Sequence, residues 1–227
     1  MRKHLVQLWL VYAGIISLFA ALEIDYHLAS LWYQLEGGSW SLKRYWLTQA
    51  WLHDGGHDVV VAFYISILLV YILSLRVGRL TPFRSYLSYL SLSIPASTLT
   101  VSAIKRLSYV DCPWSVNDFG GERPYQFWLE SLWSPLADAD HCFPAGHASS
   151  AYMLFGLYFV TKSLWPKYAV KVFFSVILLG LAFGIAQQLR GAHFLSHDIT
   201  TAWVCWTVSY VIWQYWQRHF LTKSQTI

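Results

Sequence analysis

Three short stretches of this 227-residue chain hold side chains that could do chemistry together. Lys105 and Arg106 stand side by side, Pro144-Ala145-Gly146 leads into His147, and Arg190-Gly191-Ala192-His193 is followed by His197 and Asp198. Cations, imidazoles and the amide-rich start of a helix at Gly146 make a site for an anion. Backbone N–H groups and the helix dipole favour a phosphate, Lys and Arg neutralise it, and histidines supply a nucleophile or a proton. A neutral imidazole can attack phosphorus in line and give a phosphohistidine that water then hydrolyses. A carboxylate on the other ring nitrogen would hold the tautomer, and Asp198 is the candidate for it.

The same residue types admit other readings. His53, Asp54, His57 and Asp58 place two histidines at i and i+4, a metal-ligand spacing, but Gly55-Gly56 weakens the helix this requires and a polar turn is the better reading. His193, His197 and Asp198 repeat the spacing, yet their Lys and Arg company suits an anion, so no metal or cofactor is expected. Taken singly, Lys105 and Arg106 would be interfacial anchors and His147 a capping residue. Cys112 and Cys142 lie in one loop, where a bridge would brace the site and stabilise by about 3 kcal/mol, though spacing alone leaves their pairing open. Cys205 reads as buried packing.

The elements that must position these residues follow from composition. With 56% hydrophobic, 18% aromatic and only 12% charged residues, the chain is neither disordered nor an ordinary soluble globule, and a net charge of +4 spread over loops argues against a nucleic-acid partner. Six apolar stretches, 5–22, 59–75, 85–104, 148–165, 172–189 and 199–217, predict an all-α polytopic bundle forming a single integral membrane domain over 1–227. The first reads as an anchor, because no small-x-small cleavage site ends it. The third is rich in Ser and contains Pro95, so its hydroxyls and freed backbone groups need partners inside a bundle. Gly180 and Gly184 in the fifth suggest a close helix contact.

Charge supports the count. Six spans put Arg2, Lys3, Arg76, Arg79, Arg84, Lys162, Lys167, Lys171, Arg218 and Lys223 on one side with no acid, and all 12 Asp and Glu on the other. Both termini are then cytoplasmic, and 23–58, 105–147 and 190–198 face outward with the chemical residues. Within 24–56, Trp32, Tyr33, Trp40, Tyr45, Trp46 and Trp51 suit a short amphipathic helix in the headgroup belt. The outer loop 105–147 is long enough to suggest function.

KRLSYVDCPW, FPAGHAS and RGAHFLSHD, in this order and each at an outer span end, resemble the three motifs of the type 2 phosphatidic acid phosphatase superfamily, K-x6-R-P, P-S-G-H and S-R-x5-H-x3-D. The resemblance covers about residues 85–205. It implies a six-helix core and a metal-independent phosphatase or phosphotransferase acting on a lipid phosphate or diphosphate in the bilayer. His193 matches the nucleophile, His147 the acid that protonates the leaving group, and Lys105, Pro113, Pro144 and Gly146 match motif positions. Cys112 and Gln187 stand where arginines belong, Ala145 replaces the motif serine, and His197 takes the usual acid position with Asp198 one residue later. Phosphate binding would then fall to Lys105, Arg190, Arg106 or Arg123 and to the backbone around Ala145, Gly146 and His147. The membrane implied is a bacterial inner (plasma) membrane, with the site periplasmic or extracellular. A lipid phosphotransferase, or a lipid-binding or transport protein that has lost catalysis, is the alternative.

Overall fold

The computed structural model describes residues 2–46, 55–135 and 138–221, and among them every regular element is helical. In chain order these are α1 (Arg2–Ala21), α2 (Ile24–Leu35), α3 (Gly56–Ser74), α4 (Arg84–Leu107), α5 (Gly146–Tyr152), α6 (Gly156–Leu164), α7 (Pro166–Leu189) and α8 (Leu195–Trp216). The 3-10 turn Met153–Phe155 joins α5 to α6 as one rod. Each of the six apolar stretches falls on one of these helices or on that rod. Three helices among the described residues, Lys3–Ala21, Gly78–Leu107 and Pro166–Leu189, are long and apolar enough to cross a membrane, and Asp58–Ser74 is a shorter apolar one. Residues 24–46 form α2 and a 3-10 turn, Ser41–Arg44, rather than one helix. His53, Asp54 and Trp51 lie outside the described residues, and with them the His53–His57 pair.

The helices sort their faces for a solvent other than water. Along α7, Val170, Phe174, Leu178, Leu181 and Ile185 recur at helical spacing and are exposed, while Ala169, Val176, Gly180, Phe183 and Gly184 are buried on the opposite face. An apolar stripe left bare along a whole helix is stable against lipid tails and costly against water. The chain is accordingly a membrane protein.

The bundle gives several polar groups of α4 partners. Its Ser93, Ser97 and Tyr89 are buried, Ser97 bonds the Ser93 carbonyl at 2.9 Å, and the Tyr89 hydroxyl donates to the Ser209 carbonyl on α8 at 2.9 Å. Pro95 has no N–H to give the carbonyl four residues earlier, and that carbonyl, of Ser91, accepts the Tyr64 hydroxyl from α3 at 3.2 Å. Glycines let α7 approach its neighbours: a Cβ on Gly180 would lie 2.1 Å from the Tyr152 ring, and one on Gly184 2.7 Å from the Asp198 carboxyl. These contacts bring the ends of α4, α5, α7 and α8 together at one end of the bundle.

Candidate active site

Lys105 sits in the last turn of α4, and its stem crosses the start of α5, where a Cβ on Gly146 would meet the Lys105 Cδ at 3.6 Å. Gly146 and His147 open α5, at the helix end where backbone N–H groups point outward. The half-buried His147 ring lies 4.9 Å from Phe183 of α7. Ala145, expected among the phosphate-binding backbone, is fully buried, and its N–H points at the His197 carbonyl at 3.4 Å.

The turn between α7 and α8 carries His193. Gly191, at φ +69°, ends α7: its N–H bonds the Gln188 carbonyl at 2.9 Å and the Ala192 N–H bonds that of Gln187 at 2.9 Å, a Schellman closure that favours glycine. The Trp40 ring packs so closely on Gly191 that a Cβ there would come within 2.5 Å of it. The Gly191 carbonyl accepts the Trp114 N–H at 3.0 Å. With the turn pinned this way, His193 is only 8% exposed, and its Nδ1 lies 2.8 Å from the Cys142 carbonyl. A carbonyl can only accept, so Nδ1 carries the proton and the Nε2 of the neutral ring carries the lone pair. Burial holds the His193 pKa well below the usual imidazole value, reinforced by Lys105, His197 and His147. The ring is therefore neutral at pH 7.

Asp198 does not take the orienting place expected of it. Its Oδ2 accepts the Gln188 amide at 2.6 Å, which ties α8 to α7, because it projects toward α7 and Gly184 instead of toward the turn. His197, at the usual acid position, is buried between Phe143 and Phe194, with ring centroids at 5.2 and 5.4 Å. Nor do His193, His197 and Asp198 bring ligand atoms together. Among the described residues the one such gathering is Cys112, Asp140 and Cys142, and its two cysteines form a disulfide.

The cations separate. Arg190 donates from Nε to the Lys43 carbonyl at 3.0 Å and from Nη1 to Gln187 Oε1 at 3.1 Å, which brings its guanidinium back to the position where the motif arginine was expected. Arg106 is exposed at the end of α4, whereas Lys105 is partly buried and its charge acts on His193. Arg123 pairs with Asp111 and lies 3.8 Å from Asp140, which makes it a clamp of the outer loop. That loop is tied further by the Cys112–Cys142 disulfide, with Cα atoms 5.3 Å apart, and by the Cys142 N–H on the Val110 carbonyl at 2.8 Å.

Sequence reasoning missed the Cys142 carbonyl, because a backbone acceptor leaves no residue-type signal. It also missed Asp25. This acid of α2 is 1% exposed and accepts the Ser196 N–H at 2.9 Å and the Ser196 hydroxyl. Burial pushes its carboxyl up to about 6, against the Ser196 bonds, which favour the ionised form.

No curated protein and no solved structure matches the chain. The model of the PAP2 superfamily matches residues 86–221, more than half of the sequence and the whole of the Lys105, His147 and His193 cluster. The chain therefore belongs to the PAP2 superfamily, the type 2 phosphatidic acid phosphatases and related phosphotransferases.

Proposed function

We propose that this protein hydrolyses a lipid phosphate or diphosphate monoester at the outer face of a bacterial inner membrane, through a phosphohistidine on His193 and without a metal. The single observation that carries this reading is the bond from His193 Nδ1 to the Cys142 carbonyl at 2.8 Å, which leaves the lone pair on Nε2 of a ring that feels the charges of Lys105 and His147. Nε2 attacks phosphorus, the bond from phosphorus to the lipid oxygen breaks, and His147 gives that oxygen a proton. Water then attacks the phosphohistidine, His147 takes its proton, and inorganic phosphate leaves. Lys105, Arg190 and the N–H groups of Gly146 and His147 bind the phosphoryl oxygens, whose charge is the main load in the transition state. Arg106 is left as an interfacial cation and Asp198 as a brace between α7 and α8.

The whole chain acts as one integral membrane unit in this reading. Helices α1, α3, α4, the α5–α6 rod, α7 and α8 cross the bilayer, and α2 lies along the outer surface. The charge partition of the sequence supports cytoplasmic termini and an outward site.

The test is phosphate release by the purified protein from a panel of lipid mono- and diphosphates in excess EDTA, with His193→Ala and His147→Ala alongside. Release by the wild type survives EDTA, falls to background in His193→Ala, and drops about 10²–10⁴-fold in His147→Ala. Release unchanged in His193→Ala sinks the assignment. A phosphohistidine that discharges only onto a second lipid would make the protein a phosphotransferase.

A further inference from the structure

The nucleophile's turn has an anchor outside the matched region of the family. Helix α8 begins at Leu195 behind Phe194, which offers no side-chain cap, so the first N–H groups of a helix end buried among aromatic rings need an acceptor from elsewhere. Asp25 supplies it from 171 residues away: one carboxyl oxygen takes the Ser196 N–H at 2.9 Å and the other takes the Ser196 hydroxyl. A carboxylate at a helix N-terminus is favoured by the dipole as well as by the bonds. Between Ser196 and His193 lie only Phe194 and Leu195, and the Phe194 ring is itself held edge-on by Tyr125 at 5.6 Å. Asp25, Gln188 and His193 border the same small void.

We propose that Asp25 is a positioning residue for the phosphatase reaction, fixing the start of α8 so that the imidazole of His193 stays at the geometry its attack requires. This rests on the reading of His193 as nucleophile. The turn is then held at three points: Gly191 by Trp114, His193 by the Cys142 carbonyl, and Ser196 by Asp25. Without the third, the segment from Phe194 onward can shift, and an error of about 1 Å at a nucleophile costs on the order of 10²-fold in rate. Substrate binding, which depends on Lys105, Arg190 and the α5 amides, is left in place.

The experiment compares wild type, Asp25→Ala and Asp25→Asn as full-length protein in nanodiscs, reading steady-state phosphate release and amide hydrogen exchange. Asp25→Ala lowers kcat by about 10–100-fold with KM nearly unchanged. Asp25→Asn, which keeps an acceptor for the Ser196 N–H, recovers most of the rate. Exchange quickens at residues 193–198 in Asp25→Ala and not along the buried middle of α4. A folded Asp25→Ala protein with wild-type kcat and unchanged exchange at 193–198 overturns the proposal. So does a loss of rate that merely follows faster exchange throughout the bundle, since that marks general destabilisation. If the wild type releases no phosphate, the phosphatase reading fails, and the exchange data still decide whether Asp25 holds the turn.

Discussion

His193 donates its proton to a carbonyl, where a carboxylate was expected, and the difference has chemical consequences. A carboxylate would stabilise a protonated ring, whereas a carbonyl fixes the tautomer and leaves the ring easier to keep neutral. With burial and the Lys105 charge acting in the same direction, the ring stays unprotonated into mildly acidic solution. The acid limb of kcat/KM, which reports the free enzyme, should thus lie below pH 6.5, the usual imidazole value. Lys105→Met removes a positive charge that opposes protonation, so the His193 pKa rises and the limb moves to higher pH, on top of a lower maximum. A pH–rate profile of the two proteins checks this, and a limb that stays in place would show that Lys105 does not act on His193. Arg190 illustrates the same economy of position: three residues late for the motif, it is folded back onto Gln187, the residue standing in its expected place.

The elements around the site do their positioning through the long outer loop. Its Cys142 presents the carbonyl that His193 uses, and the disulfide to Cys112 closes the loop over a separation of 30 residues. Reduction, or Cys112→Ser, should lower stability by about 3 kcal/mol on the chain-entropy estimate and reduce phosphate release, because the carbonyl loses its tether. Thermal unfolding and activity with and without reductant test this, and full activity in the reduced protein would place the tether elsewhere. How much of this was legible differed with the kind of signal. The helices were readable because apolar runs of that length have one solution in lipid, and the need for partners around Pro95 was readable because proline removes a definite N–H. The cluster of Lys105, His147 and His193 was legible from side-chain type and order. The directions in which the Ala145 amide, Arg106 and Asp198 point were not legible, because proximity in sequence does not say which way a group projects. Ser196 gave no hint of Asp25, since a contact across 171 residues leaves no periodicity to read.

At the scale of the whole molecule, the charge partition makes a definite claim about sidedness. Single cysteines placed in a background lacking Cys205, with the disulfide kept, should separate cleanly. Arg79→Cys and Lys167→Cys should react with an impermeant maleimide only after the membrane is opened, and Glu36→Cys and Glu122→Cys should react in intact cells. Labelling of Arg79→Cys from outside would break the six-span arrangement. The contact between Asp25 and Ser196 also carries a timetable. At about 5–20 residues per second, a ribosome takes roughly 10–35 s to make the 171 residues that separate them. Helix α2 is therefore delivered to the membrane long before the turn it will hold exists. A nascent chain that already displays Lys105 and His147 still has no turn for Asp25 to grip, and on the proposed reading activity begins only once α8 joins the bundle.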